Sequence, residues 1–282
     1  MLARLNIVLL LAASLAGPVR AADAPFLNIN PSWSPDGRWL VFQSDRNGVN
    51  TQLYIIGADG RNERSLTTNA ANDSHPQWSP DGEWILFDSD RDGPWNLYLI
   101  RPDGSGGRRL THRGAASGAS FARHPGWCPD GKRIVFDSDR DGDEEIYVMN
   151  ADGTGQRRLT RSEGRDSHPS CTADGKVVFG SAGKDAPGMW FVDPDGTNAH
   201  RLTDGTAAEV SPDGRLIAFR AIANGKPDLF VMNRDGSARR NLTNDAFTNY
   251  EHAWSPDSSR IAYYSDDTGK FELYLIHADG TG

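Results

Sequence analysis

Two kinds of apolar run alternate along the chain. The first reads WLVF (39–42), WILF (84–87), RIVF (133–136), VVF (177–179), LIAF (216–219) and RIAYY (260–264). The second reads LYII (53–56), LYLI (97–100), IYVM (146–149), MWFV (189–192), LFVM (229–232) and LYLI (273–276). The runs are short, β-branched and aromatic, which suits strands rather than helices. They are apolar at consecutive positions instead of alternating, as in a strand covered on both faces. No stretch has the periodicity of a helix.

Polar turns separate the runs, and they recur too. WSPDG stands at 33–37 and 78–82, WCPDG at 127–131 and WSPDS at 254–258, with weaker copies CTADG at 171–175 and VSPDG at 210–214. Pro presets φ in such a turn, Asp accepts bridge or left-handed geometry, and Gly takes positive φ. After the second run comes a D-G turn and then SLT (65–67), RLT (109–111 and 158–160), RLT (201–203) or NLT (241–243). The unit is therefore four short strands, repeated with a period of about 44 residues. Six units fall near 30–67, 72–111, 119–160, 166–203, 206–243 and 249–282.

Four-stranded antiparallel units that must bury both faces predict an all-β fold, a six-bladed β-propeller over 25–282. The sixth unit stops at ADGTG, without an L-T segment. The stretch Phe26–Ile29 precedes the first unit's P-S-W-S, so it is expected to close the ring as the outer strand of the last blade.

The hexapeptide DSDRDG, at 88–93 and 137–142, begins like a calcium loop. In the repeat it always falls between the second and third strands. The twelfth position, where such a loop needs Glu, is Leu99 or Val148, inside a strand. A hairpin turn is expected; the competing reading is a calcium clip at Asp88/Asp90/Asp92 or Asp137/Asp139/Asp141.

Three units carry a His at one position before the first strand: His75 in SHP, His124 in RHP and His168 in SHP. The sixth unit places Glu251 there, with Tyr250 and His252 on either side, and Asp73 and Asp166 lie two residues upstream in two of the units. First strands line a propeller's channel, so these residues are the candidate binding site at the channel mouth. Imidazoles with nearby carboxylates are also ingredients of a metal site, which makes His75, His124 and His168 the candidate ligands for a divalent metal. The alternative reading is that His-Pro caps the strand start and no cofactor is held. Trp33, Trp78, Trp127 and Trp254 recur at one position and are expected in the core.

Charge and composition narrow the partners. Net charge is −8, without a basic stripe, which argues against nucleic acid and anionic lipid. The start, MLARLNIVLLLAASLAGPVRAADA, reads as a secretory signal peptide over 1–21, cut after 21 or 24. No other segment is long and apolar enough to span a membrane. A periplasmic or secreted monomer is expected. Cys128 and Cys171 sit at positions of opposite parity in neighbouring units, which leads to an expectation of two buried thiols rather than a disulfide.

The motif P-x-W-S-P-D-G-x-x-I-x-F-x-S-D-R-D-G, followed by [LI]-Y-x-M, D-G and R-L-T, resembles the propeller repeat of the TolB family across 26–282. The resemblance implies a TolB-like propeller of the cell envelope, without the α/β domain that precedes the propeller in TolB. Similar propellers accompany serine peptidases, but the G-x-S-x-G elbow is absent from this sequence. Lyases on related propellers gather His ligands at a channel mouth, which makes a metal-dependent hydrolase or lyase the enzymatic alternative. The favoured expectation is a binding scaffold rather than an enzyme. Its partner would be an envelope protein or peptide segment, or a small polar ligand.

Overall fold

The computed structural model describes residues 27–112, 121–184, 186–269 and 271–281. Every regular element in them is a strand. Blade 1 holds β1 (Asn28–Trp33), β2 (Trp39–Ser44), β3 (Gln52–Gly57) and β4 (Arg64–Ser65). Blade 2 holds β5 (Asp73–Trp78), β6 (Ile85–Ser89), β7 (Asn96–Ile100) and β8 (Arg108–Arg109). Blade 3 holds β9 (Ala122–Trp127), β10 (Arg133–Ser138), β11 (Glu145–Asn150) and β12 (Arg157–Arg158). Blade 4 holds β13 (Asp166–Cys171), β14 (Val177–Ser181), β15 (Gly188–Val192) and β16 (His200–Thr203). Blade 5 holds β17 (Thr206–Val210), β18 (Leu216–Ala223), β19 (Lys226–Asn233) and β20 (Arg240–Asn241). Blade 6 holds β21 (Asn249–Trp254), β22 (Arg260–Ser265) and β23 (Glu272–His277). Each blade is an antiparallel meander, and the sixth has three strands among the described residues.

The consecutive apolar positions are explained by the packing. β10 sends Ile134 and Phe136 against blade 2, beside Leu86, Leu97 and Leu99. It sends Val135 the other way, against Val177, Phe179 and Val192 of blade 4. The same alternation closes the ring, where Trp33, Leu40, Phe42 and Ile56 of blade 1 meet Ala253, Ala262, Tyr264 and Leu273 of blade 6. A blade on its own would leave two apolar faces in water, so the stack is stable only when every face has a neighbour.

Two expectations are corrected. Cys128 and Cys171 form a disulfide, with Cα atoms 4.8 Å apart. Adjacent blades present opposite faces to each other, so residues of opposite parity share one gap. Cys128 leaves blade 3 toward blade 4, and Cys171 leaves blade 4 toward blade 3.

The second correction concerns ring closure. Asn28 and Ile29 do not form an outer strand of blade 6; they open β1 and pair with Ser44 and Gln43. N-I-N-P at 28–31 occupies the place that D-S-H-P has at 73–76. Asn28 N–H donates to Phe271 O (3.2 Å), as Asp73 N–H donates to Thr51 O (2.9 Å) in the next blade. Phe26 lies outside the described residues.

The DSDRDG segments are hairpin turns whose carboxylates go to separate partners. Asp88 is buried against His75 (2.9 Å), Asp90 accepts from Asn72 N–H (2.8 Å), and Asp92 accepts from Tyr98 O–H (2.6 Å). In blade 3 Asp137 holds His124 (2.7 Å), Asp139 accepts from Phe121 N–H (2.7 Å), and Asp141 from Tyr147 O–H (2.6 Å). Three carboxylates committed in three directions do not make a calcium cage.

Candidate functional site

A β-bulge at one place in each inner strand builds the site. In β5, Ser74 pairs with Asp88 and Gln77 with Leu86, so His75 and Pro76 together face one residue of β6. β9 and β13 repeat the slip around His124 and His168, and β1 and β17 around Asn30 and Ala207. The first bulged residue has positive φ in all five: Asn30 54°, His75 48°, His124 44°, His168 53° and Ala207 52°. Asn and His tolerate this left-handed geometry better than most side chains. The extra residue re-aims the side chain, a common use of bulges beside functional sites. Blade 6 bulges by one residue, at Glu251.

The six bulged residues, Asn30, His75, His124, His168, Ala207 and Glu251, all line a central cavity of 390 Å³ walled by every blade. The imidazoles form a continuous row. His75 and His124 meet edge to face with centroids 4.4 Å apart, and His124 stacks on His168 at 3.9 Å. His168 Nε2 lies 3.9 Å from Glu251 Oε1. Arg220 Nη1 donates to the same oxygen (2.9 Å), from blade 5. On the opposite flank Arg123 Nε donates to Asp88 Oδ2 (3.2 Å), and its guanidinium lies over Trp95.

Residues one strand further out hold the row in place. Asp137 Oδ2 accepts from His168 N–H (3.0 Å) while the same carboxylate holds His124 Nδ1. Gln43 Oε1 accepts from His75 N–H (2.9 Å) and from Asn30 Nδ2 (2.8 Å). Each of these side chains therefore ties the bulge of the following blade, and the mouth is braced around the ring.

Burial and crowding hold two imidazoles of this row, His124 and His168, uncharged at neutral pH. Burial, followed by the neighbouring His75 charge, holds the His124 imidazole well below its usual range. Burial and then His124 push His168 down to about 3. Burial pushes the Asp137 carboxyl up to about 7, against the pull of His168. Burial also disfavours charge on Asp88 and Glu251, but their partners outweigh it. His75 and Arg123 hold Asp88 below the usual carboxylate range, and His168 and Arg220 do the same for Glu251. Deeper in the wall, burial raises the Glu209 carboxyl to about 8. The mouth thus offers two neutral imidazoles, His124 and His168, between the Asp88–Arg123 and Glu251–Arg220 ion pairs.

The predicted residues divide. His75, His124, His168 and Glu251 converge, and His252 follows Glu251 along the cavity wall. Burial lowers the His252 imidazole to about 4. Asp73 and Asp166 are fully buried at the strand starts and are not part of the cavity lining. Asp73 accepts from Arg91 Nη2 (2.7 Å) and Asn69 Nδ2 (2.6 Å), so its role is to anchor the hairpin and connection. Tyr250 also stays out of the lining; its ring packs on Tyr264 and Phe271, with Arg220 over it. The recurring tryptophans pack between blades as expected, yet Trp33, Trp78, Trp127 and Trp254 also border the cavity.

For a metal, the best donor set among the described residues is His124, His168 and Asp137, whose ligand atoms lie within 4.8 Å of one another. Asp137 Oδ1 is buried and has no hydrogen-bond partner. His75 belongs less well to this set, because its Nδ1 is engaged by Asp88. The donor chemistry suits a divalent transition metal. Binding would require these side chains to draw in, since ligand atoms sit about 2 Å from the ion.

The fold and its braced polar mouth define a six-bladed propeller with an accessible channel. The chain belongs to the family described as TolB beta propeller domain, which matches residues 8–123 and 114–210. A protein TolB homolog of Chlorobaculum tepidum is 32% identical over 110 residues, 38% of this chain and 25% of that protein. The Tol-Pal system protein TolB of Desulfosudis oleivorans is 31% identical over 112 residues, again 38% and 25%. The match thus spans about a quarter of these relatives' length. The structure of a putative TolB from Agrobacterium tumefaciens superposes with a TM-score of 0.70 at 25% identity, covering 89% of this chain and 90% of that one. An oligogalacturonate lyase in complex with manganese superposes with a TM-score of 0.64 at 17% identity, covering 88% and 89%. That last likeness speaks for the fold alone.

Proposed function

We propose that this chain is an exported binding propeller whose channel mouth takes a segment of an envelope protein, with a small polar ligand as the alternative occupant. The observation that carries this reading is the 390 Å³ cavity ringed by one bulged residue from every blade. Recognition sites are concave, largely preformed, and carry a few convergent polar groups. A half-buried row of imidazoles, of which His124 and His168 are held neutral and able to donate and accept, flanked by Arg123 and Arg220, has that character. Export is supported by the leader sequence and by the Cys128–Cys171 disulfide, a bond that persists in oxidising compartments. Relatives named for TolB and the Tol-Pal system support the envelope as the setting.

The test is capture of a defined partner from envelope extract by wild type and by the His75→Ala/His124→Ala/His168→Ala variant. The reading requires a partner that wild type retains and the folded variant loses. Equal retention by both removes the channel mouth from the account.

A second reading has its own observation, the His124, Asp137 and His168 donor set. A divalent metal held there would supply Lewis acidity to a hydrolase or lyase, and Glu251 and Arg220 would orient substrate beside it. Metal analysis of protein purified without a His tag, with zinc and manganese titrations, decides it. Absence of metal and affinity no better than millimolar would end that reading.

A further inference from the structure

The charges at the channel mouth do not balance. Arg123 is bonded to Asp88 and Arg220 to Glu251, so both guanidiniums are taken up by carboxylates of the ring. Asp137 is a third carboxylate. It is fully buried, and no Lys or Arg pairs with it among the described residues. Both of its hydrogen bonds, from the His124 ring and from the His168 N–H, fall on Oδ2. Oδ1 has no partner. A buried carboxylate without a counter-ion is costly. Counting carboxylates and guanidiniums alone, three face two, and the site lacks one positive charge.

The hydrogen-bonding edges of the row point the same way. His124 turns Nδ1 to Asp137 Oδ2 (2.7 Å). Its ring is neutral, so with Asp137 ionised the one ring proton sits on Nδ1 and Nε2 keeps a bare lone pair. His168, also neutral, stacks on His124 and places Nε2 3.9 Å from Glu251 Oε1. Neither Nε2 meets a hydrogen-bond partner among the described residues. The 3.9 Å gap discriminates between cations. A nitrogen donor about 2.9 Å from both acceptors sits between them at an angle of about 85°, and nothing has to move. An ion about 2 Å from both would lie almost on the line joining them, at about 155°, far from a tetrahedral angle. An ammonium is a compact charge with three rotatable donors, and it suits acceptors spaced in this way.

We propose that the channel mouth is a primary-ammonium site, in which a Lys side chain or free amino terminus of the partner segment seats its nitrogen between His168 Nε2 and Glu251 Oε1, beside His124 Nε2. This rests on the reading that the mouth takes a peptide segment, and it names the group by which the segment is recognised. The ammonium donates to an imidazole nitrogen and to a carboxylate, and it supplies the positive charge that Asp137 lacks. Arg123 and Arg220 stay with their own carboxylates. Hydrogen bonds between charged groups are the strong ones, so one ammonium placed here anchors the whole segment.

The test titrates short peptides into the full chain with a chelator present, so that no metal bridges the contact, and follows the imidazole nitrogens by NMR. The probes are acetyl-Ala-Lys-Ala-amide, the same peptide with norleucine or Glu in place of Lys, and Ala-Ala-Ala-amide with a free amino terminus. The proposal expects saturable binding of an ammonium probe, with the His124 and His168 signals moving, and affinity about tenfold weaker or worse for norleucine and Glu. Tighter binding of the Lys probe assigns the side chain as the source, and tighter binding of the free amine assigns the terminus. Glu251→Gln keeps an acceptor for Arg220 and removes the charge, and should weaken the ammonium probe about tenfold. Should that variant melt below wild type, the norleucine comparison on wild type decides alone. Three results would overturn the proposal: no saturable binding by either ammonium probe, equal binding of norleucine or Glu, or an affinity indifferent to Glu251→Gln in a variant that melts with wild type. Partner capture by the imidazole row is a separate measurement, so the ammonium can fail while the channel mouth stands.

Discussion

Removing the bond between Cys128 and Cys171 tests how blades 3 and 4 are joined. The two cysteines are 43 residues apart in sequence, so the bond shortens a long loop in the unfolded chain. Loop-closure entropy for that length amounts to about 4 kcal/mol at 25 °C. A chain of this size loses roughly 2–4 °C of Tm per kcal/mol, so the expected drop is about 10 °C. The perturbation is the Cys128→Ala/Cys171→Ala double variant, and wild type with excess reductant serves as a second route to the same state. Calorimetric melts should place both well below oxidised wild type, and reductant should have no effect on the double variant. Thiol titration of unreduced, denatured wild type should find no free thiol. Two free thiols per chain, or a melt that shifts by less than about 2 °C, would refute the cross-blade bond and the reasoning from facing parity.

Other consequences follow from the channel wall and the turns. Burial raises the Glu209 carboxyl from its ordinary 4.5 to about 8, so between those values the folded state keeps a proton that the unfolded chain has lost. Stability from this group therefore falls as pH rises from about 4.5 to 8. Glu209→Gln should melt with wild type at pH 5 and above it at pH 8.5; parallel curves would contradict the assignment. Asp137→Ala leaves the buried His168 N–H and His124 Nδ1 without their acceptor, and should cost about 2–4 kcal/mol in urea unfolding, with Asp137→Asn costing less. Equal losses for the two variants would contradict this, because the amide oxygen of Asn would then give no replacement for the carboxylate as acceptor. Calcium at millimolar level should leave the Tm unchanged relative to chelator, because the DSDRDG carboxylates are already committed; a rise would restore the metal-clip reading.

The fold was legible because the repeat is written in residue types with local consequences. S-P-D-G forces a turn, and unbroken apolar runs require cover on both faces, so the strands and the ring follow from one unit read six times. The imidazole row was legible for the same reason, since one slot holds His in three units. What escaped was contact between units. Asp88 and Asp137 were read as members of a turn, although the first carboxylate of each D-S-D still lies on the second strand and faces the channel. Arg220 and Gln43 would have appeared with the units aligned on that strand, where Gln43, Asp88, Asp137 and Arg220 share a position; Arg123 and Asn30 lie on first strands. The cysteine parity was counted correctly, but it was judged within one sheet when the relevant geometry was between two. Phe26–Ile29 was expected as a closing strand because it precedes P-S-W-S where the other units carry an L-T segment, yet Asn28 and Ile29 open β1. Asn30 shares the left-handed conformation of His75, and this places it in the same slot.

The central claim is that partners meet the ring at its channel mouth. Site-specific photocrosslinking measures this directly, with a benzophenone side chain placed at Tyr250, beside the mouth, or at Val49, fully exposed on a hairpin turn. In envelope extract the account predicts one defined adduct from position 250, absent when His75, His124 and His168 are all Ala, and no matching adduct from position 49. An adduct from position 49 alone, or one at 250 that survives the triple substitution, would contradict it.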